Sequence, residues 1–108
     1  PGERVLEIGA GCGYQTALLS HMGLQVCAME IRPRLAEMAI HHLARLAITD
    51  VDLRLGDGTR GWPAPVAFDA IVVSAAAPAI PSALEGQLCP TGRLIMPIGT
   101  WEQELVLV

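Results

Sequence analysis

Basic residues are scarce in this chain of 108 residues: seven arginines stand against eleven Asp and Glu, for a formal net charge of -4. Neither sign forms a long run. There is therefore no basic stripe to neutralise nucleic-acid phosphates or anionic lipid headgroups, and neither nucleic acid nor a membrane is expected as a direct partner. Long apolar runs are missing too. None reaches the roughly 18 residues that would span a bilayer, and the N-terminus lacks the charged and apolar regions of a signal peptide, so the cytoplasm is the expected location. Cysteine is sparse and odd in number. Cys12, Cys27 and Cys89 share no CxxC spacing, which argues against a disulfide framework and a zinc site and leaves them as small core or loop residues. His21, His41 and His42 form no ligand set, so no metal is expected. His41 lies on a polar helix side, where it could pair with Glu37 one turn earlier. An initiator Met is also absent, and Pro1 opens almost directly onto an apolar strand, which reads as a piece of something longer.

What is plentiful is apolar surface. With 52% hydrophobic residues, one domain spanning 1–108 can bury roughly two thirds of the surface its unfolded form exposes. Apolar runs of four to six residues alternate with helical patterns, which indicates an α/β domain with strand-helix units around a mostly parallel sheet. Strands are predicted at Arg4 to Ile8, Gln25 to Glu30, Val51 to Leu55, Ala70 to Val73, Arg93 to Met96 and Glu104 to Val108. A first helix, Tyr14 to Met22, carries apolar residues at 14, 17, 18 and 22 and ends at Gly23. A second starts at Pro33, where a helix tolerates the missing N–H, and runs to about Ala47. Its polar side is Arg34, Glu37, His41 and Arg45; Leu35, Met38, Ala39, Leu43 and Leu46 gather opposite, as for a helix lying on a sheet. Pro81 to Leu88 reads as a third helix, and Asp57 to Ala67 as loop.

The segment Glu7-Ile8-Gly9-Ala10-Gly11-Cys12-Gly13-Tyr14 places three glycines between a strand and a helix start, where backbone turns sharply and approaches a ligand closely. Position 14 would hold the last glycine of a dinucleotide-binding GxGxxG; here it is Tyr14. The spacing GxGxG, with an acid two positions ahead, resembles the first motif of S-adenosylmethionine-dependent methyltransferases. Glu7 would then help fix the loop or face the ligand's ammonium. Taken alone, the loop also fits a structural turn in some other α/β protein. Glu30 ends the second strand, where a doubly wound fold places a carboxylate beside ribose hydroxyls. Such charge-assisted bonds contribute about 1.5 to 3 kcal/mol each. Asp57-Gly58 follows the third strand, which borders the adenine pocket in this fold: Asp57 can accept from the exocyclic amine, and Gly58 lets the backbone come close.

Longer stretches narrow the reading. VLEIGAGCGYQTALL, MEIRPRL, GDGTRGWP, FDAIVVSAAAP with the following Ile80-Pro81, and LCPTGRLIMPIG together resemble the protein-L-isoaspartate (D-aspartate) O-methyltransferase family, from Val5 essentially to the end. The resemblance implies a Rossmann-like class I methyltransferase fold, incomplete here, and transfer of methyl from S-adenosylmethionine to the free carboxylate of L-isoaspartyl or D-aspartyl residues in damaged proteins. The ester then collapses to a succinimide, which makes the chemistry one of protein repair. It implies cofactor contacts from Glu7, Gly9, Ala10, Gly11, Cys12, Gly13, Tyr14, Glu30, Ile31, Asp57, Gly58 and Ser74, and an acceptor site along Ala75, Ala76, Ala77 and Pro78. Isoaspartyl proteins or peptides are the implied partners, and a monomer the expected state. No catalytic residue is assigned within the chain, because the family's serine lies in a segment ahead of the first strand. Family members also continue past the last strand seen here. The piece is accordingly expected to bind cofactor weakly, not to turn over, and to expose a sheet edge.

Cys12 sits inside the loop without a predictable His partner, so small size explains it better than nucleophilic chemistry. Ser74 has Val72, Val73, Ala75 and Ala76 around it rather than a G-x-S-x-G elbow, which disfavours a hydrolase. Trp62 and Trp101 are either packing residues or part of a protein-facing surface. Two other readings stay open: a related class I O-methyltransferase acting on a dedicated peptide or small carboxylate, and a non-catalytic cofactor-binding module.

Overall fold

Val5, Leu6, Glu7 and Ile8 are all buried, and they form the central strand β1 (Arg4–Ile8), covered on both faces. In the computed structural model, which describes residues 2–74, 82–98 and 104–107, the chain continues through α1 (Tyr14–His21), β2 (Gln25–Glu30), α2 (Pro33–Arg45), β3 (Asp52–Leu55), a 3-10 turn (Gly58–Arg60) and β4 (Phe68–Val73). It ends through α3 (Ser82–Glu85), β5 (Leu88–Ile98) and β6 (Glu104–Leu107). The strands lie in the order β3-β2-β1-β4-β5-β6. All neighbours pair parallel except β5 with β6, which pair antiparallel. Strand order reverses direction at β1, and in sheets of this kind the crevice beyond the carboxyl ends at that point receives ligands.

The α/β expectation holds, with shifts at several boundaries. The third strand starts at Asp52, and the fourth reaches back to Phe68, which is fully buried. The third helix, described over Ser82–Glu85, ends earlier than expected, because the fifth strand begins at Leu88 rather than Arg93; Pro81, its expected start, lies outside the described residues. Pro90 and Gly92 look like loop residues but sit where the β4–β5 register shifts, between the Phe68–Leu88 and Ala70–Arg93 pairs; a bulge tolerates both.

Helix faces depart further from the sequence pattern. On α2 the buried residues are Ala36, Ala39 and Leu43, whereas Met38 and Leu46, expected against the sheet, are exposed. On α1 only Thr16 is buried; Tyr14, Leu18 and Met22 face outward. Small residues allow the helices to approach the sheet closely, and Ala39 lies so near the loop that a Cβ on Gly13, whose φ is 88°, would fall 3.1 Å from its Cα. The main core, around Phe68, Ile71, Leu84 and Leu94, includes Trp62. Of the two roles open to Trp62, the structure assigns packing, with the Arg54 guanidinium 4.6 Å from the ring centroid. Trp101 lies outside the described residues.

Candidate functional site

Beyond the carboxyl ends of β1, β2, β3 and β4 lies a cavity of about 480 Å³, lined by residues that include Gly9, Gly11, Glu30, Ile31, Asp57, Gly58 and Ser74. These seven are all among the residues the sequence singles out. They come from four separate segments, brought together by the parallel register that aligns Ile8 with Met29 and with Val73.

The glycine loop is held by backbone and side chain alike. Gly9 and Ala10 both donate N–H to the Met29 carbonyl, at 2.8 and 3.1 Å. Gly11 donates to Glu30 Oε1 at 2.8 Å, and Arg32 N–H donates to Glu30 Oε2 at 2.9 Å. The Glu30 carboxylate is thus oriented by two amides, one on each oxygen, with lone pairs left for a diol. A Cβ on Gly11 would meet nothing within 4 Å, so its missing side chain leaves the cavity open. From the opposite side His42 Nδ1 lies 2.8 Å from the Cys12 carbonyl oxygen. A carbonyl only accepts, so Nδ1 carries the hydrogen.

Asp57 caps the short turn that follows β3: its Oδ1 accepts from the Thr59 amide at 3.0 Å and the Thr59 hydroxyl at 2.7 Å. These bonds, the hydroxyl's first, hold its carboxyl below the usual range, with Arg60 adding to the effect. Gly58 is required sterically, since a Cβ there would lie 2.4 Å from Ile8 Cγ2. Ser74 is anchored by its N–H to the Ile8 carbonyl at 2.9 Å, with its side chain exposed.

Five other candidate residues, Glu7, Ala10, Cys12, Gly13 and Tyr14, do not line this cavity. Glu7 is fully buried beneath the loop, hydrogen-bonded to the Thr16 hydroxyl, with Oε2 buried and unpartnered. Burial pushes its carboxyl above the ordinary value near 4.5; the Thr16 bond opposes this and the charge of Glu30 adds to it. Ala10 is buried against β2. Cys12, Gly13 and Tyr14 line a separate, mostly apolar groove of about 390 Å³ with Leu18, His42 and Leu46. Of the loop glycines, Gly9 and Gly11 reach the cavity. Ala75, Ala76, Ala77 and Pro78 lie outside the described residues.

Arg32, Leu35 and Thr59 also line the cavity and were not anticipated. Thr59 was readable in Asp57-Gly58-Thr59, because a Thr two residues after Asp is the signature of a side chain capping its own turn. Among the described residues no group of three or more His, Cys, Asp or Glu is placed to hold a metal. The ion pairs there are Arg54–Asp52 and Arg60–Asp57, so the His41–Glu37 pair does not form.

The profile of the Protein-L-isoaspartate(D-aspartate) O-methyltransferase family matches residues 1–108. The chain belongs to this family. A protein-L-isoaspartate O-methyltransferase of Methylorubrum extorquens is 57% identical over 99 residues, which are 92% of this chain and 43% of that relative. A solved structure of a protein-L-isoaspartate O-methyltransferase superposes with a TM-score of 0.90 at 34% identity, over 98% of this chain and 35% of that one. A Plasmodium falciparum protein described as belonging to the same group, crystallised with S-adenosyl-L-homocysteine, gives 0.79 at 25% identity, over 99% and 57% of the two chains. The chain spans about half the length of the curated relatives it matches. No helix among the described residues is long and apolar enough to cross a membrane.

Proposed function

We propose that the cavity binds S-adenosylmethionine and that the chain is the cofactor-binding core of an enzyme that methylates L-isoaspartyl carboxylates in damaged proteins. The observation that carries this reading is Glu30, whose two oxygens are each fixed by a backbone amide at the rim of a cavity that also holds Asp57. The donor set fits the ligand. Glu30 accepts from ribose hydroxyls, Asp57 Oδ2, which makes no hydrogen bond among the described residues and lies 3.8 Å from Arg60 Nε, accepts from an exocyclic amine, and Ile31 and Leu35 give the purine an apolar surface. Two carboxylates against one arginine suit a cationic ligand better than a pyrophosphate. Family membership supports the same assignment.

When bound, the cofactor supplies a sulfonium methyl, which passes to a carboxylate oxygen and leaves a neutral thioether. The chain's own work is positioning. Glu30 and Asp57 fix the adenosine, Gly9 and Gly11 seat the amino-acid end, and Ser74 borders the acceptor. An ionised acceptor carboxylate is already a nucleophile, so no side chain has to remove a proton.

Calorimetric titration tests the reading: S-adenosylhomocysteine should bind and NAD should not. Binding of NAD in preference to S-adenosylhomocysteine would overturn it.

A further inference from the structure

We propose that Glu7 and Thr16 form a neutral latch beneath the glycine loop, in which Glu7 remains a carboxylic acid hydrogen-bonded to the Thr16 hydroxyl and so holds the loop in its ligand-ready shape without touching the ligand. The proposal rests on the reading that the cavity takes S-adenosylmethionine.

Glu7 is the penultimate residue of β1 and Thr16 the third of α1, so their bond ties together the two elements that the loop connects. Both side chains are completely buried. Glu7 does not line the cavity, and its Oε2 has no partner. An ionised carboxylate in this position would keep a full charge on one hydrogen bond. The strands on either side offer no relief: Glu7 pairs with Ala28 on β2 and with Val72 on β4. The charged group that acts on it is Glu30 from β2, which has the same sign. His42 from α2 is committed to the Cys12 carbonyl. With the acid proton on Oε1 and donated to Thr16 Oγ1, which keeps its own hydrogen, the unpartnered Oε2 becomes an uncharged carbonyl oxygen, far less costly to bury than half a carboxylate.

The rest of the loop is tied to β2 and α2 through Met29, Glu30 and His42. The Glu7–Thr16 bond is a side-chain tie to α1, beside the Ala17 amide on the Gly13 carbonyl. Without it α1 can shift against β1 and carry the Gly11 amide away from Glu30. These two are positioning residues.

The test compares the unaltered chain with Thr16→Val, Thr16→Ser and Glu7→Gln. S-adenosylhomocysteine is titrated by calorimetry, and the carboxyl 13C shift of Glu7, identified by its loss in Glu7→Gln, is followed from about pH 3 to 9. Thr16→Val should weaken binding about tenfold or more, and Thr16→Ser should restore it to within about threefold. Glu7→Gln, which mimics the neutral acid, should bind within about threefold. The Glu7 carboxyl carbon should stay unchanged through the ordinary carboxylate range near 4.5. A Glu7 carbon that titrates there, or Thr16→Val binding undiminished, overturns the latch. If Thr16→Val fails to fold, the carbon titration of the unaltered chain decides. Failure of that chain to bind S-adenosylhomocysteine would sink the cofactor reading instead, and the titration would still judge the latch.

Discussion

Glu30 serves both the fold and the ligand with one carboxylate. Its two oxygens accept the Gly11 and Arg32 amides, so the group that would receive a ribose diol also fixes the loop beside it. Glu30→Ala removes both functions and should weaken S-adenosylhomocysteine binding roughly ten- to a hundredfold, the range expected from losing charge-assisted hydrogen bonds. Calorimetry on the variant checks this, and an unchanged dissociation constant would mean the ribose lies elsewhere. Gly58 poses the converse case, where an addition does the damage. A methyl at that position meets Ile8 Cγ2 at 2.4 Å and Cδ1 at 2.7 Å, and Ile8 is a buried residue of the central strand. Gly58→Ala should therefore cost about 1 to 3 kcal/mol by forcing Ile8 off its rotamer. It should also weaken ligand binding, because Ile8 borders the cavity. Urea unfolding with matched calorimetry reads both effects.

Between elements, the least regular part of the fold is held by one side chain. Gln87, just ahead of β5, accepts the Trp62 amide at 2.7 Å and donates to the Trp62 carbonyl at 2.8 Å and the Ala64 carbonyl at 3.3 Å. It closes the loop after the 3-10 turn much as a ladder partner would. Gln87→Leu keeps the bulk and strands a buried donor and acceptor, so it should destabilise by about 1 to 3 kcal/mol for each group left unpaired. Urea midpoints check it, and a loss below 0.5 kcal/mol, the scatter of ordinary surface changes, would show that water replaces the clasp. This clasp was not legible in the sequence, where Asp57 to Ala67 reads only as glycine- and proline-rich loop. Strand ends were legible, because Gly9, Glu30, Asp57 and Ser74 each follow a short apolar run and parallel pairing brings such ends to one edge. Helix faces were less so. Tyr14, Leu18 and Met22 have helical spacing, yet the buried residue of α1 is Thr16, since its hydroxyl has a buried carboxylate to bond. The same pairing bears on Glu7, which the sequence left open between fixing the loop and facing the ligand: its side chain lies buried under the loop, bonded to Thr16.

At the scale of the whole molecule, the sheet order makes one ligand a fastener for four chain segments, and stability should report its binding. Saturation at about one hundred times the dissociation constant adds about 2.7 kcal/mol, or roughly 10 to 20 °C in melting temperature for a domain near this size. S-adenosylhomocysteine should produce that shift and NAD should not. In the absence of ligand, Glu7 sets a second dependence. Its carboxyl is raised above the ordinary value near 4.5 by burial, so the unfolded chain releases this proton more readily than the folded one. Its contribution is fully present below that value and is lost as pH rises through the folded one. Asp57, held low by the Thr59 hydroxyl and amide, works in the opposite direction, with stability lost as pH falls. Comparing the unaltered chain with Glu7→Gln cancels Asp57, which both share. The unaltered chain should therefore lose stability relative to Glu7→Gln as pH rises above about 5, then run parallel to it once Glu7 has ionised in both states. Urea midpoints measured from pH 5 to 9 would show the gap opening, whereas a gap constant over that range would mean that Glu7 has the same affinity for its proton in the folded and unfolded chain.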